Sequence, residues 1–209
     1  TLWLDRLADM QSEFSFEWMS EHLGWSVAGG WHALLPLPLP FTKEAAGVVA
    51  TRLRQLQAIF PEVAFETSAN YASFGDADAE AAFVNAIAET TPCGILLDLH
   101  NVYAESVNLG FDARVFLEQL DLDRVLEIHL SGGSESEASW MPSGRVFRLD
   151  SHDGPVPEPV WRITTWSPIT SASVTGAFGE CTASWAPVPA SCSAIASPVS
   201  LVTSRRSPS

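Results

Sequence analysis

Short apolar runs alternate with amphipathic stretches from about residue 13 to residue 163 of the chain. Continuous apolar runs predict strands at "EVAFET", "CGILLDL" and "RVLEIHL", and a strand-like segment begins "FSFEWMSEHL". Apolar residues at helical spacing predict helices in "KEAAGVVATRLRQLQAIF", N-capped by Thr42, in "DADAEAAFVNAIAETT" and in "DARVFLEQL". We expect a proline-punctuated loop at "LLPLPLPFT" and a further strand at "RVFRLDSH".

Strands and helices in alternation are typical of an α/β protein with a parallel sheet. The uninterrupted run "ILLDL" agrees with this, because parallel strands are covered on both faces. A closed eight-stranded barrel takes about 250 residues, and this chain offers about five strand candidates before residue 163. Residues 1–163 are therefore predicted to form a partial TIM-like (β/α) barrel with an open sheet.

Residues 164–209 have a different composition from the rest of the chain. They are rich in Ser, Thr and Pro, contain one acidic residue, Glu180, and show neither helical nor strand periodicity. Two interpretations stay open: a low-complexity disordered tail, or a reading frame that has shifted after about Ile163.

Polar residues follow the predicted strands where each strand ends. Glu66, Asp98 and His129 are separated by 32 and 31 residues, about one β-α unit each, and Asp150 and His152 follow the last strand. Parallel barrels bring the carboxyl ends of their strands to one mouth, where their active sites lie. We therefore expect these five side chains to lie close together.

Carboxylates and imidazoles without a thiolate are ligands for Fe(II), Mn(II) or Zn(II). A single strand-end histidine is more often structural, but five such residues in phase with the repeat favour a metal site, in which Glu66 could bridge two cations. His22 is either a further ligand or a packing histidine beside Trp18 and Trp25. His100 would share a face with Asp98 in an extended strand, as an extra ligand or hydrogen-bond donor.

The composition limits which partners and which cellular compartment are expected for the protein. The 209-residue chain has a formal net charge of −14, which argues against nucleic acid and anionic membranes as partners. That charge is either an ordinary acidic surface or in part a carboxylate cluster that binds cations. Three cysteines without metal-ligand spacing indicate a reducing compartment. With no membrane span or signal peptide, we expect a cytoplasmic protein.

Six motifs resemble, in order, the multinuclear non-heme iron-dependent oxidative enzymes, the family of the methanobactin biosynthesis oxidase. They are "SEHLGWS", "LLPLPLPFTKEA", "FETSANY", "CGILLDLHNVYAESVNLGFD", "EIHLSGG" and "LDSHDGPVPEPVW". The resemblance implies a sugar-isomerase-like TIM-type barrel with two or three irons. It also implies oxidation by O₂ next to cysteine in a ribosomally made precursor peptide, for natural product biosynthesis, with a separate partner protein that presents the peptide. Mn or Zn remains an alternative to iron.

The family's iron ligands correspond, motif by motif, to residues of this chain, and the resemblance adds His22 to the five strand-end residues. The ligand set that it implies is His22, Glu66, Asp98, His129, Asp150 and His152. The chain departs from the family at His100, where Asn is commoner, and at Gly133, where His is commoner. An early histidine ligand and a late glutamate ligand of the family have no counterpart, so the barrel is expected to be truncated at both ends.

Two other functions stay open at this point. One is a non-redox divalent-metal isomerase or hydrolase on a related barrel. The other is a non-catalytic remnant of the oxidase, which would retain the middle of the fold without a working site.

Overall fold

The computed structural model of the protein describes residues 2–166 and 168–169. Within these residues the chain forms six α-helices: α1 (Leu2–Phe14), α2 (Lys43–Gln57), α3 (Ala77–Thr90), α4 (Leu99–Leu109), α5 (Ala113–Gln119) and α6 (Glu158–Thr164). It also forms six strands: β1 (Met19–His22), β2 (Trp25–Ala28), β3 (Trp31–Leu37), β4 (Val63–Glu66), β5 (Gly94–Asp98) and β6 (Val125–His129). Short 3₁₀ turns span Leu122–Arg124 and Ala138–Trp140.

Four strands form a parallel sheet in the order β1-β4-β5-β6, and β2 and β3 form a separate antiparallel hairpin. The α/β class and the parallel sheet predicted from the sequence are confirmed. Among the described residues the sheet is open, with β1 and β6 at its edges, which is consistent with a partial barrel.

The core lies between the sheet and the helices that follow its strands. Residues of β4 and β5 are buried along their whole length, as expected for parallel strands covered on both faces. Burying each large apolar side chain contributes roughly 1.5–3 kcal/mol before the entropy cost of folding. The fully buried side chains of the core include Phe65, Val84, Ile87, Ile95, Leu97, Leu99 and Leu117.

Helix α2 begins at the cap that the sequence indicates, and α3 begins at a cap of the same kind. The side chain of Thr42 accepts a hydrogen bond from the backbone N–H of Ala45 at 3.2 Å, which caps α2. Asp76 caps α3 in the same way, with the N–H of Ala79 at 2.9 Å. The predicted cap at Thr42 is confirmed, and these two helices cover the sheet beside β4 and β5.

Two expectations about loops and strands were wrong. Part of "LLPLPLPFT" lies in β3, because a two-stranded hairpin has a free edge where proline removes no ladder hydrogen bond. The segment "RVFRLDSH" forms no strand of the sheet and contributes one isolated antiparallel bridge, between Arg148 and Glu135. Three helices, α1, α4 and α6, were not assigned from the sequence.

The predicted division at residue 163 falls next to the end of α6 at Thr164. Residues 170–209 lie outside the described part of the chain, so the interpretations of this tail stay predictions. Within the described residues, every helix is too short or too polar to cross a membrane.

Candidate metal centre

The ends of β4, β5 and β6 bring three side chains together at one edge of the sheet. Glu66, Asp98 and His129 are the last residues of these strands, and Asp98 is paired in register with His129. Each side chain offers one ligand atom, and these atoms all lie within 4.8 Å of one another, close enough to bind one metal ion. These three residues are called the strand-end cluster below.

Asp98 both caps a helix and belongs to the strand-end cluster. Its Oδ1 accepts hydrogen bonds from the backbone N–H groups of His100 at 2.8 Å and Asn101 at 3.0 Å, at the start of α4. Its Oδ2 is buried without a hydrogen bond. Burial raises the pKa of Asp98, the N–H of Asn101 opposes this, and the negative charges of Asp150 and Glu66 raise it further. A cation bound at Oδ2 would offset this cost.

His129 is oriented by a carboxylate on its own strand. Nε2 of His129 lies 2.7 Å from Oε1 of Glu127, two residues earlier, while Nδ1 lies 3.7 Å from Oε1 of Glu66. The carboxylates of Glu127, first, and Glu66 raise the pKa of His129 to about 10, because both stabilise the protonated imidazole. When Nε2 donates to Glu127, the lone pair of Nδ1 is directed to the strand-end cluster, as in carboxylate–histidine–metal arrangements. Sequence analysis missed Glu127, although its i, i+2 spacing from His129 places both on one face of β6.

His22 lies on the outer side of Glu66. It ends β1, is paired in register with Glu66, and its Nε2 lies 3.5 Å from Oε2 of that residue. The side chain of His22 is 55% exposed. The carboxylate of Glu66 thus has an imidazole on each side, from His22 and from His129, which is an arrangement suited to a bridging carboxylate.

Asp150 and His152 lie on the long segment after β6 and are outside the three-residue strand-end cluster, although the charge of Asp150 acts on Asp98. Nε2 of His152 lies 2.8 Å from Oδ1 of Asp150, out of hydrogen-bonding direction. Burial raises the pKa of Asp150, but the nearby imidazoles of His100 and His152 outweigh it and the net pKa is lowered. His152 has φ 53°, a left-handed conformation that costs a non-glycine residue about 1–3 kcal/mol and is concentrated at functional sites.

His100 is a candidate site residue whose backbone conformation differs from the one expected. It lies in the first turn of α4 rather than in an extended strand, because Asp98 starts the helix there. Its side chain is fully buried, Nδ1 lies 3.6 Å from Oδ1 of Asp150, and neither ring nitrogen has a hydrogen bond. A Cβ at Gly133 would lie 3.0 Å from Cε1 of His100, so glycine at 133 leaves room for the imidazole.

Asn101 connects α4 to the strand end that carries Glu66. Its Nδ2 donates a hydrogen bond of 3.1 Å to the backbone oxygen of Thr67. Thr67 directly follows Glu66, so Asn101 ties α4 to the end of β4. This contact helps to fix the distance between Glu66 and Asp98.

The donor atoms fit a cation of hard or borderline character. Buried polar atoms in folded proteins are nearly always hydrogen-bonded, yet several here have no hydrogen bond. They are Oδ2 of Asp98, Oδ1 of Asp150, and both ring nitrogens of His100. Carboxylate oxygens and imidazole nitrogens are the ligands that Fe(II), Mn(II) and Zn(II) prefer.

Comparison with known proteins identifies the family. A family model described as "RiPP precursor modification enzyme MbnB/TglH/ChrH" matches residues 2–174. The chain belongs to this family. The resemblance drawn from the six motifs is thereby confirmed, and MbnB/TglH/ChrH proteins are enzymes that modify precursors of ribosomally made peptides.

Curated relatives carry the description UPF0276 protein. The relative from Rhizorhabdus wittichii is 36% identical over 162 residues, which cover 77% of this chain and 55% of the relative. The relative from Paraburkholderia phytofirmans is 37% identical over 162 residues, covering 77% and 52%. The relative from Caulobacter vibrioides is 35% identical over 163 residues, covering 77% and 55%. The chain therefore spans about half the length of the curated relatives it matches.

Proposed function

We propose that this chain is part of an iron-dependent oxidase that uses O₂ to modify cysteine residues of a ribosomally made precursor peptide. Membership of the MbnB/TglH/ChrH family supports peptide modification. The observation that supports a metal enzyme best is Oδ2 of Asp98, which is buried without a hydrogen bond within the strand-end cluster. The whole protein's substrate and partners belong to the same proposal, because the chain spans about half of its relatives.

Six side chains are proposed as ligands. Glu66 would bridge two ions, because His22 and His129 lie on either side of its carboxylate. His100 is an additional candidate, since its unpartnered ring nitrogens lie beside Asp150. The six ligands are His22, Glu66, Asp98, His129, Asp150 and His152.

Iron, when bound, would supply the activation of O₂ and a position for the substrate thiolate. The residues of this chain have other tasks. Glu127 orients the imidazole of His129 through the 2.7 Å contact to Nε2. Asp98 connects the cluster rigidly to α4, because its Oδ1 is fixed by two backbone N–H groups. The exposed side of the centre, at His22 and His152, is where a peptide presented by a separate partner protein could enter.

The test is anaerobic reconstitution of the purified chain with Fe(II), followed by metal analysis and measurement of O₂ uptake with a cysteine-containing peptide. We expect bound iron and peptide-dependent O₂ uptake. Glu66→Gln should weaken metal binding by more than about a hundredfold. Removing a residue that only hydrogen-bonds to a ligand typically weakens it by roughly tenfold to a hundredfold, and Glu66 is proposed as a ligand itself. Glu89→Gln, an exposed residue near the end of α3, is the matched control and should bind metal like the wild type.

Other outcomes separate the alternative functions. Binding of Zn or Mn with no peptide-dependent O₂ uptake would contradict the oxidase and favour a non-redox isomerase or hydrolase. Failure of the wild type to bind any divalent metal would contradict both and favour a non-catalytic remnant.

A further inference from the structure

Two side chains from other parts of the fold hold the segment that carries Asp150 and His152. The amide of Asn108 on α4 binds both polar backbone groups of Arg148: Nδ2 donates to the carbonyl oxygen at 2.9 Å, and Oδ1 accepts from the N–H at 2.8 Å. The hydroxyl of Tyr71 accepts a hydrogen bond from the backbone N–H of Asp150 at 3.0 Å.

These contacts replace a neighbouring strand. The backbone groups of residues 148 and 150 point to one side of the segment, where Asn108 and Tyr71 bind them. Those of residues 147 and 149 point to the other side, where they form hydrogen bonds with backbone. The N–H of Leu149 donates to the oxygen of Ser134 at 2.9 Å, and the oxygen of Phe147 accepts from Ser136 at 2.8 Å. An extended chain presents successive backbone groups to opposite edges. One edge of this segment is therefore paired with backbone, and the other with the side chains of Asn108 and Tyr71.

Both anchoring side chains are themselves held in place. Asn108 is 4% exposed, and its backbone oxygen accepts a hydrogen bond from the guanidinium of Arg145. The ring of Tyr71 packs edge to face against Phe147, with ring centroids 6.1 Å apart and planes at 77°. Both anchors therefore contact this segment at two points each, Asn108 at Arg145 and Arg148 and Tyr71 at Phe147 and Asp150.

We propose that Asn108 and Tyr71 are positioning residues that place Asp150 and His152 at the metal centre; this inference rests on the proposed function. Helix α4 is the common support, because Asp98 starts the helix and Asn108 lies at its end. The helix thus connects Asp98, the proposed ligand at the end of β5, to Asp150 and His152, the two proposed ligands that lie outside the strands. Ligands of this kind need outer partners that fix their orientation.

The chain contains a matched control for the amide contact. Asn85 on α3 makes the same two bonds to backbone, with Nδ2 donating to the oxygen of Gln119 at 2.7 Å and Oδ1 accepting from the N–H of Asp121 at 2.8 Å. Gln119 and Asp121 precede β6, whereas the strand-end cluster lies at the carboxyl ends of β4, β5 and β6. Asn85→Ala therefore removes a similar contact at the opposite end of the sheet.

The experiment compares the wild type, Asn108→Ala, Tyr71→Phe and Asn85→Ala as full chains. Mn(II) binding is titrated under anaerobic conditions, and backbone amide exchange is measured without metal. We expect Asn108→Ala and Tyr71→Phe to weaken Mn(II) binding by about tenfold to a hundredfold, and to speed exchange selectively over residues 145–152. Asn85→Ala should change neither.

The outcomes separate this inference from the proposed function. Wild-type Mn(II) affinity in Asn108→Ala and Tyr71→Phe would overturn the inference and leave the proposed function intact. If the wild type itself binds no metal, the proposed function fails and the exchange measurement decides the inference. Unchanged exchange over residues 145–152 would then overturn it, and faster exchange confined to those residues would support the anchoring.

Discussion

Nδ1 of His100 lies 3.6 Å from Oδ1 of Asp150, and both atoms are buried without a hydrogen bond. Two polar groups in this state are costly in the protein without metal, since each unsatisfied buried group costs about 1–3 kcal/mol. A bound cation would give both atoms a further partner. The pair therefore predicts that one substitution weakens metal binding far more than it changes the stability of the metal-free protein.

The first prediction concerns His100→Leu. The leucine has a similar volume and leaves no unsatisfied nitrogen, but it also removes the imidazole that helps to lower the pKa of Asp150. These two effects oppose each other, so the stability of the metal-free protein should stay within about 1 kcal/mol of the wild type. Metal affinity should fall. Urea unfolding with and without Mn(II) checks both effects, and a large loss of stability in the metal-free protein would contradict the prediction.

The second prediction separates the two roles of Asp98. Asp98→Asn keeps an oxygen that can cap α4 but removes the carboxylate charge. Burial disfavours that charge in the metal-free protein, as the raised pKa of Asp98 indicates. Metal-free stability should stay within about 1 kcal/mol of the wild type, because a capping oxygen remains. Metal binding should be largely lost.

Asp112→Asn is the control for this change. Asp112 caps α5 through the N–H of Arg114 at 2.8 Å and that of Val115 at 3.4 Å, and these bonds are exposed. The substitution should leave metal binding unchanged. Equal metal affinity in Asp98→Asn and the wild type, measured by titration, would exclude Asp98 as a ligand.

The third prediction is a pH dependence to which two carboxyl groups outside the proposed ligand set contribute. Burial, and then the charge of Glu80, raises the pKa of Glu105 from 4.5 to about 9, and burial also raises the pKa of Glu80. A carboxyl whose folded pKa is raised stabilises the fold fully below its unfolded pKa, and this stability is lost as the pH rises through the folded pKa. The free energy of unfolding should therefore decrease between about pH 4.5 and 9.

Glu105→Gln should make this decrease shallower, because the amide stays neutral at every pH. Glu118→Gln on the exposed side of α5 is the control and should keep the wild-type slope. Urea unfolding at pH 5, 7 and 9 provides the measurement. Parallel slopes for Glu105→Gln and the wild type would show that this carboxyl is not protonated in the folded chain.

The fourth prediction uses two glycines with different surroundings. A Cβ at Gly133 would clash with the backbone oxygen of Leu149 and lie 3.0 Å from Cε1 of His100. Gly133→Ala must displace the segment that carries Asp150, so it should cost about 1–3 kcal/mol and weaken metal binding.

Gly47 provides the opposite case. It lies within α2, and a methyl group added at its Cα would have nothing within 4 Å. Gly47→Ala should stabilise the protein by roughly 0.5–1 kcal/mol, since glycine is a poor helix former. Thermal unfolding of both variants checks the pair, and a neutral Gly133→Ala would show that this contact is loosely packed.

The strand-end cluster could be predicted because its information is local. Each of Glu66, Asp98 and His129 ends an apolar run, and parallel strands bring their carboxyl ends to one edge of the sheet. The type and direction of the strands, and the placement of the candidate ligands, follow from the hydrophobic runs and the β-α spacing. No knowledge of distant contacts is needed for this part of the site.

Helix α4 was not predicted because one residue has two functions. Asp98 ends β5 and caps α4 with no linker between them, so the apolar run "ILLDL" continues directly into the helix. The helix stop is visible in the sequence, since Gly110 has φ 81° and takes the left-handed position that favours glycine. The start was hidden, and His100 was therefore placed in an extended strand.

The conformation around Asp150 could not be predicted for a different reason. Hydrophobic alternation in "RVFRLDSH" predicts an extended chain, and residues 147–150 are indeed paired with residues on both sides. The partners on one side are the side chains of Asn108 and Tyr71, far away in sequence. Periodicity contains no information about such partners.

The parallel order of the sheet has a kinetic consequence. The three residues of the strand-end cluster come from three strands, each separated from the next by a whole helix, so no short segment of the chain contains two of them. The ion site can assemble only after these long loops have closed, so contacts to a bound ion form late in folding. Contacts that form late mainly slow unfolding. A bound ion is therefore expected to lengthen the lifetime of the folded chain without accelerating its formation.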